Sequence, residues 1–210
     1  MSLSPWLAWA REMQAIAQTG LAFSANAYDR ERYQALRALA ARILAGHGDA
    51  DPARVEALFA EQAGYATPKV DVRGAAFNAA GEILLVREVV DAGRWTLPGG
   101  WADVNLTASE NVIKEVLEES GFKVQVRKLA AVLDRDRQGH HPPLAFSTYK
   151  MFFICDIIGG AAATSLETSG AAFFAEKALP GDLSEGRVLP GQLRRMFQHH
   201  RTPGLPTDFD

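Results

Sequence analysis

Three glutamates, Glu115, Glu118 and Glu119, share one short stretch, and a glycine pair, Gly99-Gly100, comes shortly before them. On a helix turning about 100° per residue, Glu119 and Glu118 fall about 40° and about 60° to either side of Glu115, while Val112, Ile113, Val116 and Leu117 gather on the adjoining face. Like charges at three- and four-residue spacing repel by a few tenths of a kcal/mol per pair, so this face calls for a positive partner. Ligands that offer only oxygen favour a hard cation, and Mg²⁺ typically combines a few carboxylates with water and phosphate oxygens. The plainer alternative is an acidic helix face bathed in solvent. The glycines weigh against it, because they reach backbone conformations closed to other residues and let a carbonyl approach a metal or ligand closely.

The elements that must position these groups are legible around them. Thr107 followed three residues later by Glu110 has the form of a capping box, and Gly121 stands where a left-handed helix terminator belongs, so a helix over about 109–120 is expected. Strands are expected over 70–77 and 83–87, joined as a hairpin through Asn78-Ala79-Ala80-Gly81, and further strands over 124–133, 147–158 and 171–175. A last helix spans 190–201, and residues 203–208 read as an extended tail over the surface. Before all this, from Pro5 to about Gly64, Ala, Leu, Arg and Glu recur at helical spacing, and Pro5 and Pro52 stand where first-turn prolines are tolerated. Three helices are expected there. The second, over 29–45, lines up Tyr33, Leu36, Leu39, Ala40 and Ile43 as an apolar stripe in need of a partner. About 60 residues bury little core alone, which favours a homodimer built through this region.

Composition narrows the partners. With 22 basic and 25 acidic residues, the formal charge of −3 provides no global basic field for nucleic-acid backbones. Cys155 is the single cysteine, so no intrachain disulfide forms, and its place after Met151-Phe152-Phe153-Ile154 reads as a buried strand thiol. The apolar start Leu3–Ala10 is cut off by Arg11 and Glu12, short of a membrane span, so a soluble cytoplasmic protein is expected.

The stretch from Gly100 to Phe122 resembles the signature box of Nudix hydrolases: Gly, five residues, Glu, seven residues, Arg-Glu, an aliphatic, any residue, Glu-Glu, any residue, Gly, aliphatic. Gly100, Glu115, Val116, Glu118, Glu119 and Gly121 match. Leu106 stands for the first Glu, Lys114 for the Arg and Phe122 for the last aliphatic. In the family, the first Glu and the Arg mainly support the loop and orient the metal-binding acids. Lys114 keeps the charge but lacks the bidentate fork of arginine. Beyond the box, Arg94–Asn105, Leu133–Asp136, His141-Pro142-Pro143 and Leu205–Asp210 are similar to a subgroup with a helical N-terminal extension, that of CDP-choline and ADP-ribose pyrophosphatases.

The resemblance implies an α/β fold, an α/β/α sandwich around a mixed sheet over residues 67–210, preceded by a small helical domain over 1–66 that dimerises or adds to the substrate site. It implies Mg²⁺-dependent hydrolysis, with Mn²⁺ as a possible substitute, of the diphosphate bridge of a small-molecule nucleoside diphosphate derivative. The metal ligands would be Glu115, Glu118, Glu119 and the Gly100 carbonyl. Glu119 could take the proton through water; Glu167, before Thr168-Ser169, is the later-loop acid that some members use, so the catalytic candidates are Glu118, Glu119 and Glu167. Arg94, Arg135, His141 and, as a stacking platform, Trp101 are substrate-contact candidates, with His140 beside them. Each has a plainer reading: Arg94 packed over Trp95 or paired with an acid, Trp101 in the core, Glu167 as an exposed loop acid. Two other functions compete with hydrolysis of a small molecule. A nucleotide sensor on the same fold would not need the three helix carboxylates, and an RNA 5′-end pyrophosphohydrolase calls for a basic groove with stacking aromatics.

Overall fold

The computed structural model describes residues 4–47 and 50–210; Leu3, the first residue of the apolar start, lies outside them. The chain divides into two compact units, one comprising the residues up to Pro68 together with Leu144–Ser147, the other Lys69–Pro143 with Thr148–Asp210. The return of 144–147 to the first unit is invisible in the local sequence, because its partners are remote.

The first unit contains α1 (Pro5–Phe23), α2 (Ala27–Gly46) and α3 (Pro52–Ala60), with Pro5 and Pro52 in the first turns of their helices. Asn26 caps α2 by accepting from Tyr28 and Asp29 N–H, and Asp51 caps α3 by accepting from Ala53 N–H. Its core gathers Ala40, Ala41, Ala45, Val55 and Phe59, and the Phe146 ring meets Phe59 edge-on at 6.0 Å. The stripe expected on α2 is therefore displaced: the fully buried side chains are the alanines, while Leu39 points to solvent. Close helix approach explains this, since small residues line the seam and the Tyr33 ring sits directly over Gly20 of α1.

The second unit is a seven-stranded mixed sheet of β1 (Lys69–Phe77), β2 (Ile83–Glu88), β3 (Arg94–Thr96), β4 (Phe122–Asp134), β5 (Thr148–Gly160), β6 (Thr168–Phe174) and β7 (Asp208–Phe209), in the order β3-β2-β1-β5-β4-β7 with β6 on β2. The β1–β2 hairpin closes on Asn78, whose side chain accepts from Ala80 and Glu82 N–H. β1 runs parallel to β5, β4 antiparallel to it. One apolar layer, with Ala75, Phe77, Leu85, Phe152 and Ile154, packs on α5 (Pro190–Arg201) through Leu193, Met196 and Phe197. The other, with Val72, Ala76, Leu84, Phe153 and Cys155, packs on α4 (Ala108–Ser120) through Val112 and Val116. The sheet is thus sandwiched between helices, and the Cys155 thiol is core, its pKa pushed up to about 12 by burial. Part of the expected tail is a strand: β7 covers the β4 edge, and Lys128 and Thr207 tie the segment down. Among the described residues no helix is long and apolar enough to cross a membrane.

α4 begins with the capping box: Thr107 Oγ accepts from Glu110 N–H at 3.2 Å, and Glu110 accepts from Thr107 N–H at 2.7 Å. It ends on Gly121 in the left-handed conformation. Its buried face differs from the expected one. Val112, Val116, Glu119 and Ser120 are buried, whereas Ile113 and Leu117 are exposed. Gly74 of β1 decides this, because a Cβ there would lie 2.5 Å from Val116 Cγ2; the missing side chain lets the helix settle with Val116 against the strand. That rotation carries Glu119 inside.

Candidate active site

β1 and β2 pair at Phe77↔Ile83. Further along β1, residues 97–102 take the strand's free edge: Gly74 N–H donates to Pro98 O at 2.9 Å, Val72 N–H to Gly100 O at 2.8 Å, and Ala102 N–H to Val70 O at 2.9 Å. Gly99 lies so close that a Cβ would stand 2.0 Å from the Val72 carbonyl oxygen, and its φ of +140° suits glycine alone. The Gly100 carbonyl, a candidate metal ligand, therefore already accepts one hydrogen bond and has one lone pair left.

The acids of α4 stand in three environments. Glu119 is 4% exposed and accepts from Gly99 N–H at 3.0 Å. Burial pushes its pKa up to about 8 against the pull of Arg73 and the Gly99 N–H, while Glu115 and Glu88 push the same way as burial. The Glu115 side chain is 13% exposed and lies over the glycine loop, its Oε2 being 3.3 Å from where a Gly100 Cβ would sit. Burial raises its pKa too, with Lys114 opposing and the charges of Glu118 and Glu167 adding. The Glu118 side chain is 58% exposed and pairs with Lys114 at 3.2 Å. Glu167 is exposed on a turn stitched to the end of α4, where Thr168 Oγ donates to Glu119 O at 2.5 Å and Ala163 N–H to Ser120 O at 2.9 Å, and to the residue after β2, where Val89 N–H donates to Glu167 O at 2.8 Å. The fold thus brings a later-loop acid within electrostatic reach of Glu115.

Several polar residues escaped the sequence reading. Asp71 and Arg73, on one face of β1, are buried with Lys150 of β5. Arg73 grips Asp71 through Nε at 2.9 Å and Nη2 at 2.7 Å, Lys150 Nζ reaches Asp71 at 2.5 Å, and Arg73 Nη1 donates to Leu97 O at 3.1 Å. Burial works to raise the Asp71 pKa, but the two cations outweigh it and hold the carboxyl down at about 2. This network fastens the start of the glycine loop and places a buried positive charge near Glu119. Buried Glu88 pairs with Arg187 at 3.3 Å and also acts on Glu119. Charges at alternate positions of an otherwise apolar strand were the available signal for Asp71 and Arg73. Lys150 and Glu88 had none.

The proposed substrate contacts separate. Arg94 is exposed and pairs with Asp91 at 3.4 Å, while Arg87, not Arg94, stacks on Trp95 at 5.3 Å. Trp101 is exposed and its backbone bridges to Asp71, and His141 is exposed. Arg135, by contrast, is buried and donates to Pro142 O at 2.7 Å and Gly186 O at 3.2 Å, a brace between two loops rather than a side chain open to solvent. His140 is buried between Glu185 O at 2.8 Å and Gln192 Nε2 at 2.9 Å, and burial, with the Lys150 charge, lowers its pKa to about 4, so it is neutral.

Among the described residues no three acidic, histidine or cysteine side chains converge as a ready metal cage. The donor chemistry nevertheless fits a hard divalent cation: Glu115 and Glu119 are both desolvated carboxylates whose pKa values burial raises, and the Glu115 charge raises that of Glu119 further, a conflict that a cation between them removes. Glu118 is exposed enough to swing from Lys114 toward them.

Comparison with known proteins identifies the family to which this fold belongs. Residues 67–191 match the model of the NUDIX domain, and residues 4–59 match that of a UDP-X-like, N-terminal oligomerisation domain. The chain is 45% identical over 205 residues, covering 98% of it and 97% of its relative, to YjhB of Bacillus subtilis (strain 168), which carries a provisional ADP-ribose pyrophosphatase name. A crystal structure of a UDP-X diphosphatase superposes with a TM-score of 0.62 at 33% identity over the whole of both chains. That of an ADP-ribose pyrophosphatase from Streptococcus suis 89-1591 gives 0.61 at 36% identity, covering 69% of this chain and all of the other. With its carboxylate helix, glycine loop and sandwiched sheet, the chain belongs to the Nudix hydrolase family.

Proposed function

We propose that this enzyme hydrolyses the diphosphate bridge of a nucleoside diphosphate joined to a second moiety, of the ADP-ribose or CDP-choline type, with Mg²⁺ as cofactor and Mn²⁺ as a substitute. Water adds across one P–O–P linkage, its oxygen joining one phosphorus and the bridging oxygen leaving with the other, so that two phosphomonoesters result. The observation that carries this reading is the buried Glu119 carboxylate, hydrogen-bonded to the Gly99 N–H beside Glu115. The names of the relatives in Bacillus subtilis and Streptococcus suis favour ADP-ribose within the class.

Glu115, Glu118, Glu119 and the free lone pair of the Gly100 carbonyl would hold the cation, which supplies neutralisation of phosphate charge and polarisation of water. The residues of the chain do the rest. Glu119 or Glu167 accepts the proton of the attacking water; Arg94, Trp101 and His141, all exposed, are available to hold the phosphates and the base. Arg135 contributes by bracing the loop that carries His141. A homodimer fits the first unit: its surface has a groove of about 500 Å³ whose lining includes Ile16, Phe23, Tyr33 and Tyr65, and Trp9, Tyr28 and Leu58 are also exposed.

The test is turnover of ADP-ribose, CDP-choline, ADP-glucose and a dinucleoside tetraphosphate with Mg²⁺, products being identified by mass. One substrate should yield its two phosphomonoesters. If all remain intact while one binds tightly without metal, the protein is a nucleotide sensor instead.

A further inference from the structure

Asn111, on the second turn of α4, is 1% exposed. Its amide is spent on the backbone of the preceding turn. Oδ1 accepts from Asp103 N–H at 2.8 Å, and Nδ2 lies 3.3 Å from Asp103 O, 3.2 Å from Thr107 O and 3.5 Å from Leu106 O. Leu106, which replaces the expected box glutamate, offers no side-chain polar group to hold this turn. Within the turn Asn105 takes a φ of +66°, the left-handed conformation that asparagine adopts more readily than most residues.

The turn so fixed presents Asp103 to Lys114. The Lys114 ammonium is 3.1 Å from Asp103 Oδ2, 3.5 Å from Glu115 Oε1 and 3.2 Å from Glu118 Oε2, one cation shared among three carboxylates. A metal ion entering between Glu115 and Glu118 must displace that ammonium from both, and Asp103 is the partner left to keep it.

We propose that Asn111 is a positioning residue: it fixes the 103–107 turn so that Asp103 retains Lys114 when a metal ion takes Glu115 and Glu118. The inference rests on the metal-dependent reading above. Without the Asn111 amide the turn drifts, Asp103 loses its hold, and the ammonium competes with the metal for the α4 carboxylates. Supporting groups of this kind are typically worth 10- to 100-fold in metal affinity.

The test is Mn²⁺ binding, followed by electron paramagnetic resonance without substrate, for the parent, Asn111→Ala, Asp103→Asn and each of these combined with Lys114→Met; thermal melts check folding. Asn111→Ala should weaken Mn²⁺ binding about tenfold or more, and the loss should vanish in the Lys114→Met background, a non-additivity that a merely structural role would not produce. Equal affinity in parent and Asn111→Ala, or the same loss in both backgrounds, overturns the proposal. If Asn111→Ala does not fold, the solvent-facing Asp103→Asn carries the test with the same expected loss and the same rescue, and unchanged affinity there overturns it. A parent protein that binds no Mn²⁺ overturns the metal reading itself, and this inference with it.

Discussion

Replacing Glu119 by glutamine is expected to make the metal-free protein progressively more stable than the parent as pH rises from 5 to 8, while costing at least about a hundredfold in metal-dependent hydrolysis, the upper end for a disturbed metal site. The glutamine oxygen can still accept from Gly99 N–H, so the loop keeps its anchor. The difference lies in charge. The folded-state pKa of Glu119 is raised to about 8 from the ordinary carboxylate value of 4.5, chiefly by burial. Below the unfolded value both states are protonated, and parent and variant are alike in charge. Between the two values the unfolded chain releases the proton while the folded protein keeps it, so the parent loses stability as pH rises, at about 1.4 kcal/mol per pH unit. Glutamine has no such loss. Urea unfolding of both proteins across this range, with chelator present, checks the claim; a pH-independent difference contradicts the buried carboxylate. Saturating Mg²⁺ should reverse the order, because it binds the folded parent through this acid and stabilises it by mass action.

Gly99→Ala is expected to be the most damaging exchange of a glycine for its nearest neighbour. Its Cβ would meet the Val72 carbonyl oxygen at 2.0 Å and the Arg73 Cα at 2.9 Å, at a φ of +140° that alanine avoids. Backbone strain of this kind costs about 1–3 kcal/mol. Relieving it means lifting the loop from β1, which surrenders hydrogen bonds worth about 1 kcal/mol each. A loss of about 3 kcal/mol or more in urea unfolding is expected, with activity lost even at temperatures where the variant stays folded. Gly191→Ala is the control. Near the start of α5 nothing lies within 4 Å of the added Cβ, so the exchange should be neutral or gain up to about 1 kcal/mol from helix propensity.

The contrast between these sites shows which features a sequence can carry. The α4 capping box, the Gly121 terminator and the Asn78–Gly81 turn are local, and each residue type was chosen by hydrogen bonds or dihedral angles within a few positions. The rotation of α4 is not local. A wheel placed Ile113 and Leu117 with Val112 and Val116, but the absent side chain of Gly74, on a strand far away in sequence, draws Val116 inward, buries Glu119 and leaves Ile113 and Leu117 outside. The three acids that looked equivalent therefore differ in burial, and that difference sets the pKa of Glu119. Short β3 and β7 went unseen because their pairing partners, not their own residues, make them strands. Arg135 looked available beside its acids, yet its partner Gly186 lies 51 residues on. Asn111 lay inside the recognised box but at a position the pattern leaves open, so its amide carried no signal until the turn it holds was visible.

The most direct measurement of the central claim is the release of phosphomonoester from ADP-ribose by the parent protein and by Glu118→Gln/Glu119→Gln, with Mg²⁺ and with chelator. The account predicts steady release by the parent with Mg²⁺, none with chelator, and none by a folded double variant under either condition. Release that survives both the chelator and the loss of the two carboxylates would place the chemistry elsewhere than on α4 and its glycine loop.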